Sequence, residues 1–183
     1  EARFDVAAFG LLGYELDLAV ASPVEKKMMA AQISWYKAHR EVLQQGRFYR
    51  LQSPFEADGS CGTETRETRW MVVSEDRTEA VAGEFQGLVV PNSAGRPLRL
   101  AGLSPQRMYT VTVRPERIAI KTFGSLLNQI LPVHVNTDGY LMHAVGDLKA
   151  LDCEAESYTA WGDLLMRAGI RLKQAFTVTG YNE

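Results

Sequence analysis

Residues 10–18, GLLGYELDL, and residues 22–45, SPVEKKMMAAQISWYKAHREVLQQ, decide how this chain is read. The first stretch is an apolar run that becomes alternating, bounded by Gly10 before it and by Ala21-Ser22-Pro23 after it. That pattern predicts a buried strand over 10–18. Glu15 and Asp17 sit near its C-terminal end, two residues apart, so a strand would point both carboxylates to one face. The second stretch predicts a helix. Ser22 is the expected N-cap, Pro23 the first helical residue, and Glu25 completes a capping box. Met28, Met29, Ile33, Trp35, Tyr36, Val42 and Leu43 fall on one broad face, while Lys26, Lys27, Lys37, Ala38, Glu41 and Gln45 fall largely on the other. Gly46 is expected to end the helix in the left-handed conformation. A strand feeding an amphipathic helix is half of a βαβ unit and implies a parallel sheet. One such unit cannot bury both of its faces, so a larger α/β domain is expected upstream. Residues 1–9, with Phe4, Ala7 and Ala8 at helical spacing, read as the interior or end of a helix.

From Arg47 onward the pattern changes. Short apolar or alternating runs recur at Phe48–Leu51, Trp70–Ser74, Ala80–Val90, Leu98–Leu103, Tyr109–Val113 and Ile118–Thr122. Turn signals separate them: Ser53-Pro54, Glu75-Asp76-Arg77, Pro91-Asn92-Ser93, Leu103-Ser104-Pro105 and Arg114-Pro115. Strands at this spacing predict an antiparallel sandwich or curled sheet. The polar stretch 57–68 reads as a loop. Val133–Val135 and Tyr140–Val145, joined through Asp138-Gly139, predict a hairpin. Phe176–Thr179 reads as a terminal strand whose partner is expected downstream. With no capping signal before its first apolar residues, the chain is expected to be a piece of a longer protein.

Composition narrows the function classes. The 183 residues are 46% hydrophobic and 23% charged, enough for one packed domain rather than a disordered chain. Twenty basic against 22 acidic residues leave a net charge of −2, with no excess to neutralise phosphates, so a nucleic-acid partner is not expected. No apolar run approaches the roughly 20 residues that span a bilayer, and no membrane partner is expected. The two cysteines, Cys61 and Cys153, lie far apart and form no CxxC pair, which suits a reducing cytoplasm; a single bridge stays open.

Candidate chemistry is sparse. His39, His134 and His143 lack zinc-site spacing, so no metal is expected. There is no GxGxxG, P-loop or GxSxG, and neither cysteine lies by a cationic cluster. A charged hairpin turn accounts for Glu75-Asp76. Glu15 and Asp17 are the remaining candidates. In an α/β barrel the C-terminal ends of strands face the active site, but two residues on one strand are not the opposed pair that glycoside chemistry requires. Lining a substrate pocket is the role open to them.

Several motifs, in order, resemble one family. The stretch Phe4 to Leu18 (FDVAAFGLLGYELDL) is similar to the last barrel strand of family 36 glycoside hydrolases, the bacterial α-galactosidases. Gln32 to Arg40 (QISWYKAHR), Gly46 to Leu51 (GRFYRL), Ser53 to Glu56 (SPFE), Trp70 to Ser74 (WMVVS) and Pro91-Asn92 follow in the family's order. Gly102-Leu103 and Tyr109 match its Gly-Leu-Asp-x4-Tyr pattern with Ser104 in place of the Asp. Leu164 to Ile170 (LLMRAGI) is similar to its ELMNAGL, with Leu164 replacing Glu and Arg167 replacing Asn. The tail Gly180-Tyr181-Asn182-Glu183 fits as well, whereas 124–160 match weakly.

The resemblance implies an α+β chain: the last strand–helix unit of a (β/α)8 barrel over 1–46, then a C-terminal antiparallel β-sandwich over 47–183 without its last strands. It implies a retaining glycosidase, in which one carboxylate attacks the anomeric carbon and a second protonates the leaving oxygen. The family's K-x-D-x-N and S-D-N-x-D motifs, which carry that pair, do not occur in this sequence. No catalytic residue is therefore expected here, and the chain by itself is expected to be inactive and structural. Asp17 is the one expected substrate-binding residue, at the top of the last strand. No cofactor is implied. The implied partners are an α-galactoside, the remainder of the barrel, and further copies in a homo-tetramer, in the cytoplasm. Two rival readings are a stand-alone carbohydrate-binding or interaction module, and a self-sufficient enzyme of unrelated type.

Overall fold

A computed structural model of the chain describes residues 2–21, 23–55, 67–87, 96–114, 117–119, 150–152 and 156–172. Two helices come first, α1 (Ala2–Ala8) and α2 (Pro23–Gln45). An antiparallel sheet follows, ordered β1 (Arg47–Gln52), β2 (Glu67–Val73) and β3 (Ala80–Gln86). Further along, β4 (Met108–Thr112) pairs antiparallel with β7 (Ser157–Trp161), and β5 (Arg117–Ala119) with β6 (Ala150–Asp152). A short helix, α3 (Gly162–Arg167), leaves β7 directly.

β2 explains the layering. Successive side chains on a strand face opposite ways, yet Met71, Val72 and Val73 are all buried. Val72 joins Phe4, Ala8, Tyr36, Val42, Leu43 and Val81 in a core under the helices. Met71 and Val73 join Leu98, Leu100, Leu103 and Leu165 in a second core on the other face. A strand covered on both faces loses its polar alternation, which is why 70–73 reads as a continuous apolar run. The sheet is thus a wall between two cores. Cross-strand register runs from Arg47 opposite Val73 through Arg50 opposite Trp70, then slips at a bulge before Gln52. On the other side Val72 faces Val81 and Trp70 faces Gly83.

The helix expected from the capping signal forms over its full length, and Met29, Gln32, Tyr36, Val42 and Leu43 are its buried residues. Ile33, expected on the apolar face, is exposed. Ser22 lies outside the described residues. Gly46 ends the helix for a different reason from the one expected, since Gly102 and Gly169 are the described glycines with positive φ. A Cβ at Gly46 would strike the Val42 carbonyl and come within 2.7 Å of both the Val73 carbonyl and the Val72 side chain. Close passage of α2 over β2, not a left-handed cap, requires glycine there.

Two predicted strands do not form. Residues 10–18 adopt an irregular path, with Leu11, Leu16 and Leu18 exposed. A parallel strand needs neighbours that accept and donate its ladder hydrogen bonds, and no described residue supplies them. Leu98–Leu103 makes a single bridge, Leu98 to Ile170, and Leu100 N–H then donates to the Leu165 carbonyl. Gly102, at φ 72°, breaks the extended path, and its missing Cβ leaves room for the Tyr49 hydroxyl. Leu98, Leu100 and Leu103 are still buried, so the apolar pattern was a burial signal rather than a strand signal. The expected hairpin at 133–145 and strand at 176–179 lie outside the described residues, as do 88–90 of the third predicted strand and 120–122 of the run beginning at Ile118. Glu67 and Thr68, read as loop, open β2.

Candidate functional site

The segment 10–18 connects α1 to α2 and carries both candidate carboxylates. It is held by Leu12, which packs on the helix-side core, and by two tyrosine hydroxyls. The Tyr36 ring is buried in the helix-side core, and its hydroxyl donates to the Gly10 carbonyl at 3.1 Å. The same oxygen accepts from Leu12 N–H at 3.5 Å and from Gln44 Nε2 at 2.8 Å. One donor and two acceptor positions are all that a tyrosine hydroxyl offers, so its capacity is filled. Farther along, the Tyr14 hydroxyl donates to Oε1 of the buried Gln32 at 2.7 Å.

Asp17 lies at the outer end of this segment. Its Oδ1 accepts from Ala19 N–H at 2.8 Å, and its carbonyl accepts from Val20 N–H at 3.3 Å, a local turn that orients the carboxylate. Asp17 and Glu15 are both exposed. Because the segment is not a strand, the expected sharing of one face does not follow. Leu11, Leu16, Leu18 and Val20, which flank the two acids in sequence, are also exposed.

The helix leading into the segment is tied to a residue distant in sequence. Arg114, which follows β4, pairs with Asp5 on α1. Its guanidinium carbon sits 5.1 Å from the Phe4 ring centre and 6.0 Å from that of Trp35. Trp35 in turn lies 4.7 Å from the His39 ring, and His39 Nδ1 is 2.8 Å from Glu79 Oε1. His39 is therefore a tie between α2 and the β2–β3 turn. His134, His143, Cys61 and Cys153 lie outside the described residues. Among the described residues no group of three or more His, Cys, Asp or Glu side chains could hold a metal ion.

Glu75-Asp76 takes the turn role read from the sequence. The Ser74 hydroxyl, the Thr78 N–H and the Thr78 hydroxyl all donate to Asp76, and these bonds hold its carboxyl below the usual value of 3.8. Arg77 completes the turn at φ 57°. Tyr109 ties this turn down, its hydroxyl donating to the Arg77 carbonyl at 2.6 Å and accepting from Ser104 N–H at 2.9 Å.

Two clefts are present away from Asp17. One, about 340 Å³, is lined by Leu51, Gln52, Arg69, Arg96, Pro97 and Arg99. Arg69 is buried there, with NH2 2.9 Å from Glu84 and 3.1 Å from Glu67, and it donates to the Pro97 and Arg96 carbonyls. The other, about 300 Å³, lies between Phe9 and Gly10 on one side and Phe48, Arg50 and Trp70 on the other. Trp70 packs against Phe9, Phe48 and Phe85, with ring centres 5.0–6.2 Å away, and lines this cleft. Sequence reading missed Arg69 and the Tyr36 hydroxyl. The signal for Arg69 was its phase, since it shares a strand face with Met71 and Val73.

Comparison with known proteins gives these residues a context. Residues 1–46 match the melibiase family model, and residues 67–181 match the glycosyl hydrolase family 36 C-terminal domain. The chain is 41% identical to α-galactosidase AgaA of Geobacillus stearothermophilus over 109 residues, which is 60% of this chain and 14% of that protein. It is 36% identical to α-galactosidase 1 of Pediococcus pentosaceus over 107 residues, 58% of this chain and 14% of that protein. The crystal structure of the family 36 α-galactosidase AgaB from G. stearothermophilus superimposes with a TM-score of 0.63 at 30% identity, covering 95% of this chain and 17% of that one. Variants of AgaA have been solved with raffinose and with stachyose, each with a TM-score of 0.61 to this chain at 30% identity and covering 94% of it and 17% of theirs. The chain thus spans between one-seventh and one-sixth of the length of these relatives, 14% to 17%. With the C-terminal domain model matched over more than half of its residues, the chain belongs to glycosyl hydrolase family 36.

Proposed function

We propose that this chain is the C-terminal portion of a retaining α-galactosidase that removes terminal α-galactosyl groups. One observation carries the reading: a melibiase match over 1–46 and a family 36 C-terminal match over 67–181 stand in that order in a single chain. In this reading residues 1–46 close the catalytic (β/α)8 barrel, and 47–183 form a β-sandwich packed against it. The exposed Leu11, Leu16, Leu18 and Val20 are the surface that the remaining barrel strands cover, and 10–18 becomes a strand when those neighbours supply its ladder bonds. The nucleophile and the acid/base belong to the rest of the barrel, so these residues alone carry no turnover. Asp17 approaches the sugar pocket and binds substrate through its carboxylate. The complete protein works without a cofactor, as a cytoplasmic homo-tetramer.

The test is hydrolysis of p-nitrophenyl α-galactoside by the complete protein and by the mass-verified 183 residues alone. The complete protein is expected to turn over and the shorter chain to be inert. Turnover by the shorter chain would place a catalytic pair among its own acids and overturn the reading.

A further inference from the structure

We infer that the cleft lined by Gln52, Arg69 and Arg99 is a binding site for a small oxyanion, either inorganic phosphate or the phosphate group of a monoester. The galactosidase reading gives this cleft no role, and the inference does not rest on that reading. The bulge in β1 builds the site. Register passes from Arg50 opposite Trp70 to Gln52 opposite Arg69, so Leu51 and Gln52 together face one residue of β2. A bulge re-aims side chains, and this one sets a glutamine amide across the strands from a guanidinium. Gln52 is 8% exposed and lines the cleft, and its side-chain amide has no hydrogen-bond partner among the described residues. An unpaired buried amide is costly, so its two N–H donors call for oxygens that enter the cleft. Arg69 is held in place from several sides. Its NH2 pairs with Glu67 and Glu84 and donates to the Arg96 carbonyl, while its NH1 donates to the Pro97 carbonyl. The last two bonds also fix the backbone that brings Arg99 to the cleft. Arg99 is exposed and joins no ion pair among the described residues, so its charge is available to a ligand. A planar guanidinium suits two oxygens of one phosphate. Leu51 and Pro97 add apolar surface, and about 340 Å³ is enough for a small organic group beside the anion. None of the lining residues lies in 1–46, so completing the barrel around 10–18 makes no call on them.

The test is isothermal titration calorimetry on the complete protein in phosphate-free buffer, with inorganic phosphate, glucose 6-phosphate and glucose as probes. Both phosphates are expected to bind once per chain, more weakly as salt is added, and glucose is expected not to bind. Tighter binding of glucose 6-phosphate than of inorganic phosphate identifies a monoester site, and equal binding a site for the free anion. Arg99→Gln is expected to weaken binding about tenfold, the factor that one charge-assisted hydrogen bond represents. Gln52→Leu, which removes the amide and keeps the volume, is expected to weaken it about fivefold. Arg99 lies on the surface, so Arg99→Gln decides the matter if Gln52→Leu does not fold. Absence of binding by both phosphates, binding of glucose as tight as that of glucose 6-phosphate, or wild-type affinity in Arg99→Gln overturns the inference. Calorimetry needs no turnover, so failure here leaves the galactosidase reading to be judged by hydrolysis alone.

Discussion

Replacing Arg69 by methionine should cost the protein about 3 kcal/mol, and the structure shows how that figure arises. The arginine side chain is 6% exposed and lies between Glu67 and Glu84, which are 15% and 28% exposed. It also donates to the Arg96 and Pro97 carbonyls, so it joins β2 to the segment leading into Leu98. Removing one partner of a buried ion pair costs about 3–5 kcal/mol because the other charge stays behind. Methionine fills most of the volume, which keeps the packing. Glu84 is exposed enough to turn towards water, which places the loss at the low end of that range. Among the described residues the arginine's own Nε is buried without a hydrogen-bond partner, so the wild-type site already carries a desolvation cost that methionine removes. With a urea m-value of about 2 kcal/mol/M, the unfolding midpoint followed by circular dichroism should fall by about 1.5 M. Adding Glu67→Gln and Glu84→Gln to Arg69→Met should recover about half of that loss. A loss below about 1 kcal/mol for Arg69→Met would mean that both acids reach water unaided, and the buried-charge reasoning would be wrong.

Two further outcomes follow from geometry already described. Gly102→Ala should destabilise by about 2 kcal/mol or more in the same urea assay, because φ is 72° and the new methyl group meets the Tyr49 hydroxyl; a neutral effect would show that the backbone relaxes freely. For Asp76 the folded carboxyl titrates below 3.8, so its contribution is present above that value and is lost as pH falls through the lower, folded one. Asp76→Ala should therefore destabilise at pH 7, and the gap to wild type should close below about pH 4; a gap that persisted into acid would tie it to something other than the ionised carboxylate.

How much of this was legible depended on where each stabilising partner lies. The helix 23–45 was legible because its signals, Pro23, Glu25 and the apolar face, are all local. β1, β2, β3 and β4 were legible for the same reason, each being a short apolar run closed by a turn. The segment 10–18 was not, because an apolar run bounded by turn residues reads as a strand whether or not neighbours supply its ladder bonds, and here Leu11, Leu16 and Leu18 are exposed and no described residue supplies them. Leu98–Leu103 failed in the opposite way: its leucines are buried, but against α3 rather than along a ladder. Asp17 was legible as a candidate from its place after an apolar run. What holds that segment was not, because a tyrosine on an amphipathic face reads as core whether or not its hydroxyl reaches across to another element.

The sheet stands between two cores, and this bears on how the chain is inherited. Val72 belongs to the core shared with Phe4 and Tyr36, while its neighbours Met71 and Val73 belong to the core shared with Leu165. The boundary after Gly46 is therefore a change of pattern along the chain and not a seam in the packing. Arg114 crosses it from the other direction to reach Asp5 and Phe4. A recombination that exchanged residues 1–46 between relatives would have to bring a matching Val72 and Arg114 with it, or leave a mismatched wall. The two segments share one core, so substitutions on the inner face of α2 should be answered by substitutions on β2 and β3.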